Sequence, residues 1–253
     1  MDEKRAPSEV IFGRNSVQEA IAAGRTINKI FYLESGDNRL WQLVKEAKNA
    51  KIPCQAVPYE QLERLAQGLR HQGIAAELAA KDYADWSKCI ERLAEAGKQA
   101  LVLVLDSIQD GHNLGAILRT ADAAKVDLVV IPKRRGQALD ARVSRASAGA
   151  IEFVPVARVA NLSQAIRELQ SVGFWIYGLA AEGSEVYDEV DYADKTALLI
   201  GNEGRGIAQK LREHCDYLLS IPMYGQINSL NASVACALAT FAARRSLGSA
   251  RFD

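Results

Sequence analysis

Short apolar runs alternate with helix-length amphipathic segments along most of the chain. The clearest run, LVLVL at residues 101–105, predicts a strand that is buried on both faces of a parallel sheet. Further strand-length runs follow at 128–131, 175–179 and 196–200, with helical stretches between them. The alternation predicts an α/β domain with a mostly parallel sheet and helices on both faces.

The N-terminal third of the chain carries a smaller alternating pattern. It predicts a helix that begins at Asn15 or Ser16, either of which is a good cap. Further elements are predicted as follows: strands at 29–33 and 53–57, and helices at 40–50 and 59–67. We therefore predict three parts of the chain: an N-terminal α/β domain over 1–76, a connector over 77–98 and a larger domain over 99–253.

The overall charge gives no support for a generally basic, nucleic-acid-binding chain. There are 31 basic and 31 acidic side chains, so any RNA-binding surface must be local. One locally basic segment, 133–145, contains a single acidic residue, Asp140, and five basic ones: Lys133, Arg134, Arg135, Arg142 and Arg145. Because this loop follows a strand, it could contact RNA phosphates. A solvated surface loop is an equally good interpretation of the same residues.

The four cysteines and three histidines show no zinc-binding spacing, so we predict no metal site. Reduced thiols are typical of a cytosolic protein. The sequence shows no secretion signal and no apolar run long enough for a membrane span, and we expect a cytoplasmic protein.

The candidate chemistry lies in the last sixty residues. The strand at 196–200 runs into GNEGRG, whose G-x-x-G-x-G spacing differs from the G-x-G-x-x-G of dinucleotide-binding folds. Glycines after a strand expose backbone N–H groups at the edge where α/β sheets bind ligands, so Glu203 lies where a substrate would bind. A strand at 218–223 and the segment NSLNAS at 228–233 then lead into a helix at 232–243 that is apolar on nearly all sides.

These segments resemble the motifs of a known family. GNEGRG, SIPM and NSLNAS, in that order, together with NLGAILRT at 113–120, resemble the three motifs of the SpoU (TrmH) family of RNA ribose 2′-O-methyltransferases. FGRNSV near the start and HQGIA at 71–75 resemble the ribosomal-protein-like, L30e-type RNA-binding domain of some SpoU enzymes. The resemblance implies a trefoil-knotted α/β fold, S-adenosylmethionine as cofactor and RNA as partner. A knot would not follow from the residues themselves, since true knots are nearly absent among known folds.

The resemblance also implies roles for particular residues. The catalytic set is led by Arg119 and includes Asn113, Glu203, Ser229 and Asn231. Cofactor contacts, largely through backbone, fall on Leu179, Gly201, Asn202, Ile221 and Leu230. RNA contacts fall on Arg14, His71, Lys133, Arg134, Arg135 and Arg145. One departure is Gly111, which stands where a proline is common in relatives.

Each of these roles has a structural alternative. Arg119 could be a surface charge on an amphipathic helix, and Asn113 could be the N-cap of that helix. Taken alone, Arg14 could be an exposed charge and His71 a residue that ends a helix. Family accounts make the arginine a base, but a guanidinium stays protonated. We therefore expect Arg119 to hold the substrate phosphate and favour the developing 2′-oxyanion, and we leave the proton acceptor open.

Three functions are compatible with this sequence. The full-length resemblance is closest to enzymes that methylate a guanosine of bacterial 23S ribosomal RNA. A transfer-RNA methyltransferase of the same family is second, and a non-catalytic RNA-binding protein on this fold is third. The apolar helix at 232–243 further predicts a homodimer, because large exposed apolar faces usually mark an interface.

Overall fold

The structure is a computed structural model that describes residues 9–66, 68, 70–78, 82–95 and 99–248. It forms two compact units: the first comprises the described residues up to Asp82 together with Leu139–Ala141, and the second comprises Tyr83–Ala138 and the described chain from Arg142 onward. No helix in the described part of the chain has the length and apolar character needed to cross a membrane.

The first unit is a four-stranded sheet with three helices. Its strands are β1 (Glu9–Phe12), β2 (Ile27–Tyr32), β3 (Cys54–Ala56) and β4 (Ile74–Leu78), and its helices are α1 (Arg14–Ala22), α2 (Asn38–Asn49) and α3 (Tyr59–Ala66). The strand order is β1-β4-β2-β3, with β4 antiparallel to both neighbours and β2 parallel to β3. Helices α1 and α2 bury Val17, Leu40 and Val44 against Ile30 and Leu78 of the sheet.

Two strands of this unit, β1 and β4, were not predicted from the sequence. The residues of β4 are IAAEL, and alanine is a weak strand former. Its strand conformation comes from pairing on both sides with chain segments that are distant in sequence. Within the connector predicted over 77–98, Leu78 ends β4 and a helix forms at Trp86–Glu95.

The second unit is built on a seven-stranded sheet, all of whose pairings are parallel. Its strands are β5 (Ala100–Leu105), β6 (Leu128–Pro132), β7 (Val156–Val159), β8 (Trp175–Leu179), β9 (Glu185–Val186), β10 (Lys195–Ile200) and β11 (Tyr217–Ser220). The remaining helices are α4 (Trp86–Glu95), α5 (Gly111–Ala123), α6 (Ala141–Ala146), α7 (Leu162–Ser171), α8 (Gln209–Arg212) and α9 (Ala232–Ser246), with a 3-10 turn at Ala150–Glu152. The strand order is β7-β6-β5-β10-β8-β11-β9.

Helices cover both faces of this sheet, as the apolar pattern predicted. Every residue of β5 is buried. Val102 and Val104 share a core cluster with Leu93 of α4 and Ile166 of α7. Because side chains alternate along a strand, the other residues of β5 face the opposite side, where α5 packs on α9 and α9 packs on β10. This confirms the α/β fold class with its mostly parallel sheet, while the trefoil knot stays a prediction.

The topology gathers four loops at one edge of the sheet. Strands β5, β10, β8 and β11 are adjacent and parallel, so their carboxyl ends lie side by side. The loops that leave them span 106–110, 201–208, 180–184 and 221–231. Strand β11 ends at Ser220, earlier than the predicted 223, and this lengthens the last of these loops.

Candidate active site

A pocket of about 660 Å³ opens at this edge of the sheet. It is lined from the four chain segments 179–182, 200–206, 219–223 and 228–235, and also by Arg212. All five residues predicted to bind the cofactor lie in its wall: Leu179, Gly201, Asn202, Ile221 and Leu230. The fold thus brings together positions that are up to 51 residues apart in the sequence.

The glycine loop after β10 is held in shape by its own hydrogen bonds. Asn202 and Gly206 pair through backbone bonds of 3.1 and 2.8 Å, and the Asn202 side chain accepts from the Gly204 N–H at 3.0 Å. The Asn202 amide also donates to the Ser107 carbonyl at 3.1 Å, which ties the loop to the end of β5. A Cβ on Gly201 would lie 2.2 Å from the Gly206 carbonyl carbon, so only glycine fits there. Asn202 therefore shapes this wall of the pocket.

A carboxylate and two carboxamides meet beside the pocket. Asn113 Nδ2 donates to Glu203 Oε1 at 2.8 Å, and Asn231 Nδ2 donates to Asn113 Oδ1 at 3.0 Å. Asn231 Nδ2 also contacts Glu203 Oε1, and the Ala232 backbone N–H donates to the same oxygen at 3.3 Å. We call Asn113, Glu203 and Asn231 the carboxamide cluster. It joins three predicted catalytic residues that are up to 118 positions apart.

Helix capping explains why these side chains can meet. Asp110 is the N-cap of α5, and its carboxylate accepts from the Asn113 N–H. Asn113 therefore lies inside the helix, and the alternative that it caps α5 is wrong. Asn231 does cap α9, because its Oδ1 accepts from the Ser233 N–H at 2.9 Å, yet its Nδ2 remains for the cluster.

Glu203 also lies next to a helix terminus. The carboxylate lies at the N-terminus of α9, where the helix presents unpaired N–H groups and partial positive charge. Gly111 occupies the first helical position of α5, where proline is favourable, so its departure from the family pattern leaves the helix start intact.

The remaining two predicted catalytic residues are placed differently. Ser229 lines the pocket and is exposed. Arg119 lies on α5, six residues after Asn113, which puts it about 9 Å further along the axis and about 120° round the helix. Its side chain is exposed and, within the described residues, has no hydrogen-bond or ion-pair partner. The structure brings Ser229 to the pocket but does not join Arg119 to the cluster.

The predicted RNA-binding residues of the first unit make contacts within that unit. Arg14 donates through one terminal nitrogen to both carboxylate oxygens of Asp37, at 2.9 and 2.8 Å, and through Nε to the Gln72 carbonyl at 3.1 Å. This hydrogen bond from Arg14 holds the pKa of the Asp37 carboxyl below its usual value. His71 is buried, and its Nδ1 accepts from the Gly73 N–H at 3.0 Å. Both residues therefore have a structural role in this unit.

The predicted RNA-binding residues of the second unit are on its surface. Lys133, Arg134 and Arg135 follow β6, and Arg145 lies on α6; all four are exposed. The backbone at Lys133 is fixed, because its N–H donates to the Val159 carbonyl and its carbonyl accepts from Arg158.

Glu182 and Arg212, two charged residues that line the pocket, were not identified from the sequence. Glu182 follows β8, Arg212 ends α8, and the two form an ion pair in the pocket wall. Neither belongs to a recognisable motif, and they are 30 residues apart, so no local signal could have identified them. Among the described residues, no group of three or more His, Cys, Asp or Glu side chains could hold a metal ion.

Comparisons with known proteins agree with this geometry. The model of the SpoU rRNA Methylase family matches residues 100–241, and the model for RNA 2'-O ribose methyltransferase substrate binding matches residues 10–84. A Staphylococcus saprophyticus protein named "Putative TrmH family tRNA/rRNA methyltransferase" is 45% identical over 230 residues, which are 90% of this chain and 92% of that protein.

Two solved structures show how far the similarity extends. An AdoMet-bound rRNA methyltransferase from Sinorhizobium meliloti aligns with a TM-score of 0.80 and 26% identity, over 98% of this chain and 90% of its own. A TrmH/SpoU tRNA modifying enzyme of A. aeolicus aligns with a TM-score of 0.53 and 30% identity, over 64% of this chain and 83% of its own. Fold and site define an RNA methyltransferase. The chain belongs to the SpoU rRNA methylase family.

Family membership confirms S-adenosylmethionine as the cofactor, and the pocket suits it. Its volume of about 660 Å³ is in the range of sites for ligands of this size. Apolar side chains such as Leu179, Leu219 and Ile221 suit a purine, and the Glu203 carboxylate suits the positive charge of a sulfonium.

Proposed function

We propose that this protein transfers a methyl group from S-adenosylmethionine to a ribose 2′-hydroxyl of ribosomal RNA, most specifically to a guanosine of 23S ribosomal RNA as in enzymes of the RlmB type. The observation that carries this proposal is the carboxamide cluster beside a pocket of cofactor size. A binding protein without catalysis would have no need to hold three polar side chains at the mouth of such a pocket.

The protein has a limited chemical task in this reaction. The bound cofactor supplies a methyl group on a sulfonium, which is a good leaving group. A carbon–oxygen bond forms at the 2′-oxygen, the carbon–sulfur bond breaks, and the hydroxyl proton must leave. The chain therefore has to align the hydroxyl and stabilise the charge that develops on its oxygen.

Glu203 and the two asparagines serve alignment in this proposal. Glu203 is fixed by donors from two different helices, α5 and α9, in addition to the hydrogen bonds that shape its own loop. The carboxamide of Asn113 retains one donor and one acceptor site for a ribose or a phosphate, whereas that of Asn231 is fully used by Asn113, Glu203 and Ser233 and serves to orient the other two members of the cluster. Ser229, at the pocket wall, supplies a further hydroxyl.

Arg119 is proposed to hold the phosphate of the target nucleotide. Its guanidinium is exposed on α5, the helix that also carries Asn113. A bidentate contact to a phosphate would bring the ribose against the carboxamide cluster, and the positive charge would favour the 2′-oxyanion. The proton acceptor is not assigned.

The choice of ribosomal RNA over transfer RNA is supported by coverage of the chain. The ribosomal enzyme from Sinorhizobium meliloti aligns over 98% of this chain, whereas the tRNA modifying enzyme aligns over only 64%. The substrate-binding model accounts for residues 10–84. We propose that the N-terminal domain, 1–76, carries RNA affinity and that the catalytic domain, 99–253, carries the chemistry, in the cytoplasm.

A homodimer is proposed through α9. One face of this helix is buried, while Val234, Leu238 and Phe241 are 47%, 38% and 49% exposed. These residues lie at i, i+4 and i+7, which places them on one face of the helix. An exposed apolar stripe of this kind fits a symmetric interface with a second copy.

The test is to map 2′-O-methyl groups in total cellular RNA with the gene present, deleted, and restored either as wild type or as Glu203→Ala. We expect one position of 23S ribosomal RNA to lose its methyl group on deletion and to regain it only with the wild-type gene. Loss of a transfer-RNA methyl group would select the alternative substrate. An unchanged map would refute the proposed activity.

A further inference from the structure

An ion pair spans the wall of the pocket at some distance from the carboxamide cluster. Arg212 Nη1 contacts Glu182 Oε1, and Arg212 Nε donates to the Ile207 carbonyl at 3.2 Å. The pair therefore connects the loop after β8 with the end of the glycine loop after β10. Both side chains line the pocket. The lining segments 179–182 and 200–206 contain two further charged residues, Glu203 and Arg205.

Strand order separates this pair from Glu203. The Glu203 carboxylate contacts α5, which follows β5, and α9. Glu182 follows β8, and its neighbour Gly183 is packed against the β11 backbone, since a Cβ there would lie 2.4 Å from the Leu219 carbonyl carbon. Because the order is β5-β10-β8-β11, the two carboxylates lie on opposite sides of β10. The pocket thus has a cluster end and an ion-pair end.

The apolar wall of the pocket belongs to the ion-pair end. Leu179 is the last residue of β8, and Leu219 and Ile221 lie at the end of β11. A purine would find its apolar surface there, while the cluster end holds the groups that suit the sulfonium and the 2′-hydroxyl. The nucleoside part of the cofactor therefore fits the ion-pair end.

The charge of the pair decides which group it can bind. The Arg212 hydrogen bond lowers the pKa of Glu182, so this carboxylate stays ionised and only accepts hydrogen bonds. A group with a single charge, such as an ammonium or a carboxylate, is attracted by one member of the pair and repelled by the other, so it gains little net attraction. A neutral donor such as a hydroxyl meets no such repulsion, and Glu182 has acceptor sites beyond the one that Arg212 uses.

We propose that Glu182, oriented by Arg212, accepts hydrogen bonds from the ribose hydroxyls of the cofactor and thereby positions its nucleoside. Arg212 is a positioning residue that acts through Glu182 and holds the loop at Ile207. The inference rests on the use of S-adenosylmethionine, but it concerns cofactor binding alone, so it can fail while methyl transfer to RNA stands.

The test is calorimetric binding of S-adenosylhomocysteine and of 5′-methylthioadenosine to the full-length protein and to Glu182→Gln. Methylthioadenosine keeps the ribose and the purine but lacks the amino-acid end. We expect Glu182→Gln to weaken both ligands by the same factor, about tenfold, because a charge-assisted bond becomes a neutral one. The matched control is Glu185→Gln, an exposed residue of β9 outside the pocket, which should leave both affinities unchanged.

Deoxy analogues locate the contact. The 2′-deoxy and 3′-deoxy forms of methylthioadenosine should bind the wild type more weakly than the parent compound, and this difference should shrink in Glu182→Gln. A loss of affinity for S-adenosylhomocysteine alone would assign Glu182 to the amino-acid end and overturn the proposal. Unchanged binding of both ligands, with unchanged melting temperature, would overturn it as well. Failure of the wild type to bind either ligand would instead contradict the family's cofactor.

Discussion

Removing the Glu203 carboxylate tests the carboxamide cluster directly. In Glu203→Ala, three donors lose their common acceptor: Asn113 Nδ2, Asn231 Nδ2 and the Ala232 backbone N–H. The Asn113–Asn231 hydrogen bond and the Asn231 cap would remain, but the Asn113 amide would lose its acceptor and the N-terminus of α9 would lose its neighbouring anion. We expect a modest loss of stability and a much larger loss of activity.

The magnitudes follow from the exposure of the site. Glu203 is exposed, so its abandoned donors can turn to water, and each bond is worth only the net value of about 0.5–1.5 kcal/mol. The three bonds share one oxygen and are not additive, which gives a destabilisation of about 1–2 kcal/mol. For a chain of this size the melting temperature should fall by roughly 2–8 °C. Misplacement of the reacting groups should reduce methyl transfer about a hundredfold or more.

The assay compares methyl transfer to ribosomal RNA with thermal unfolding for Glu203→Ala, Glu203→Gln and the exposed control Glu189→Ala. Glutamine keeps an acceptor oxygen but loses the charge, so it should retain most of the stability and still lose most of the activity. The control should change neither. If Glu203→Ala melted at the lower temperature and yet transferred methyl groups at nearly the wild-type rate, the cluster would be purely structural and our reasoning would be refuted.

Three further outcomes are expected. Arg119→Lys keeps the charge but loses the planar guanidinium, so methyl transfer should fall by about two orders of magnitude. Cofactor binding, measured by calorimetry, should be unchanged. Near-normal turnover would contradict the proposed role of Arg119 in phosphate binding. Leu238→Glu should convert a dimer into monomers by light scattering, whereas a wild-type mass near the 27.6 kDa of one chain would show that there is no dimer to disrupt. Burial raises the pKa of Cys215 and of Cys236 to about 12, so neither thiol should be alkylated in the native protein at pH 8. Peptide mass spectrometry after alkylation measures this. Rapid labelling of either cysteine would mean that its segment opens readily.

The sequence by itself predicted five strands of the second unit and the order of its motifs, whereas the short strands β7 and β9 were not predicted. A strand such as β5 is recognisable because its five consecutive apolar residues need burial on both faces of the sheet. That pattern lies within a few neighbouring residues, so it can be read from the sequence. The family motifs are equally local, and they contain the three residues of the carboxamide cluster: Asn113, Glu203 and Asn231.

Strands that depend on remote partners could not be recognised in this way. Strand β4, with its alanines, gains its conformation from pairing with β1 and β2, and no local pattern reports that pairing. The role of Asn113 was undecided for the same reason. The sequence left Asn113 as a possible cap, and only the folded helix start shows that Asp110 takes this position and leaves Asn113 to Glu203.

Tertiary structure alone decided how the pocket is charged and which side chains are already engaged. Arg14 is bound to Asp37 and His71 is buried, which the sequence did not show, while their contacts with RNA stay a prediction. Glu182 and Arg212 carry no motif, and they meet only because β8 and β10 are adjacent in the sheet. Such contacts join positions that are distant in sequence. Their energy depends on interatomic distance and solvent exposure, and a pattern of residues along the chain specifies neither quantity.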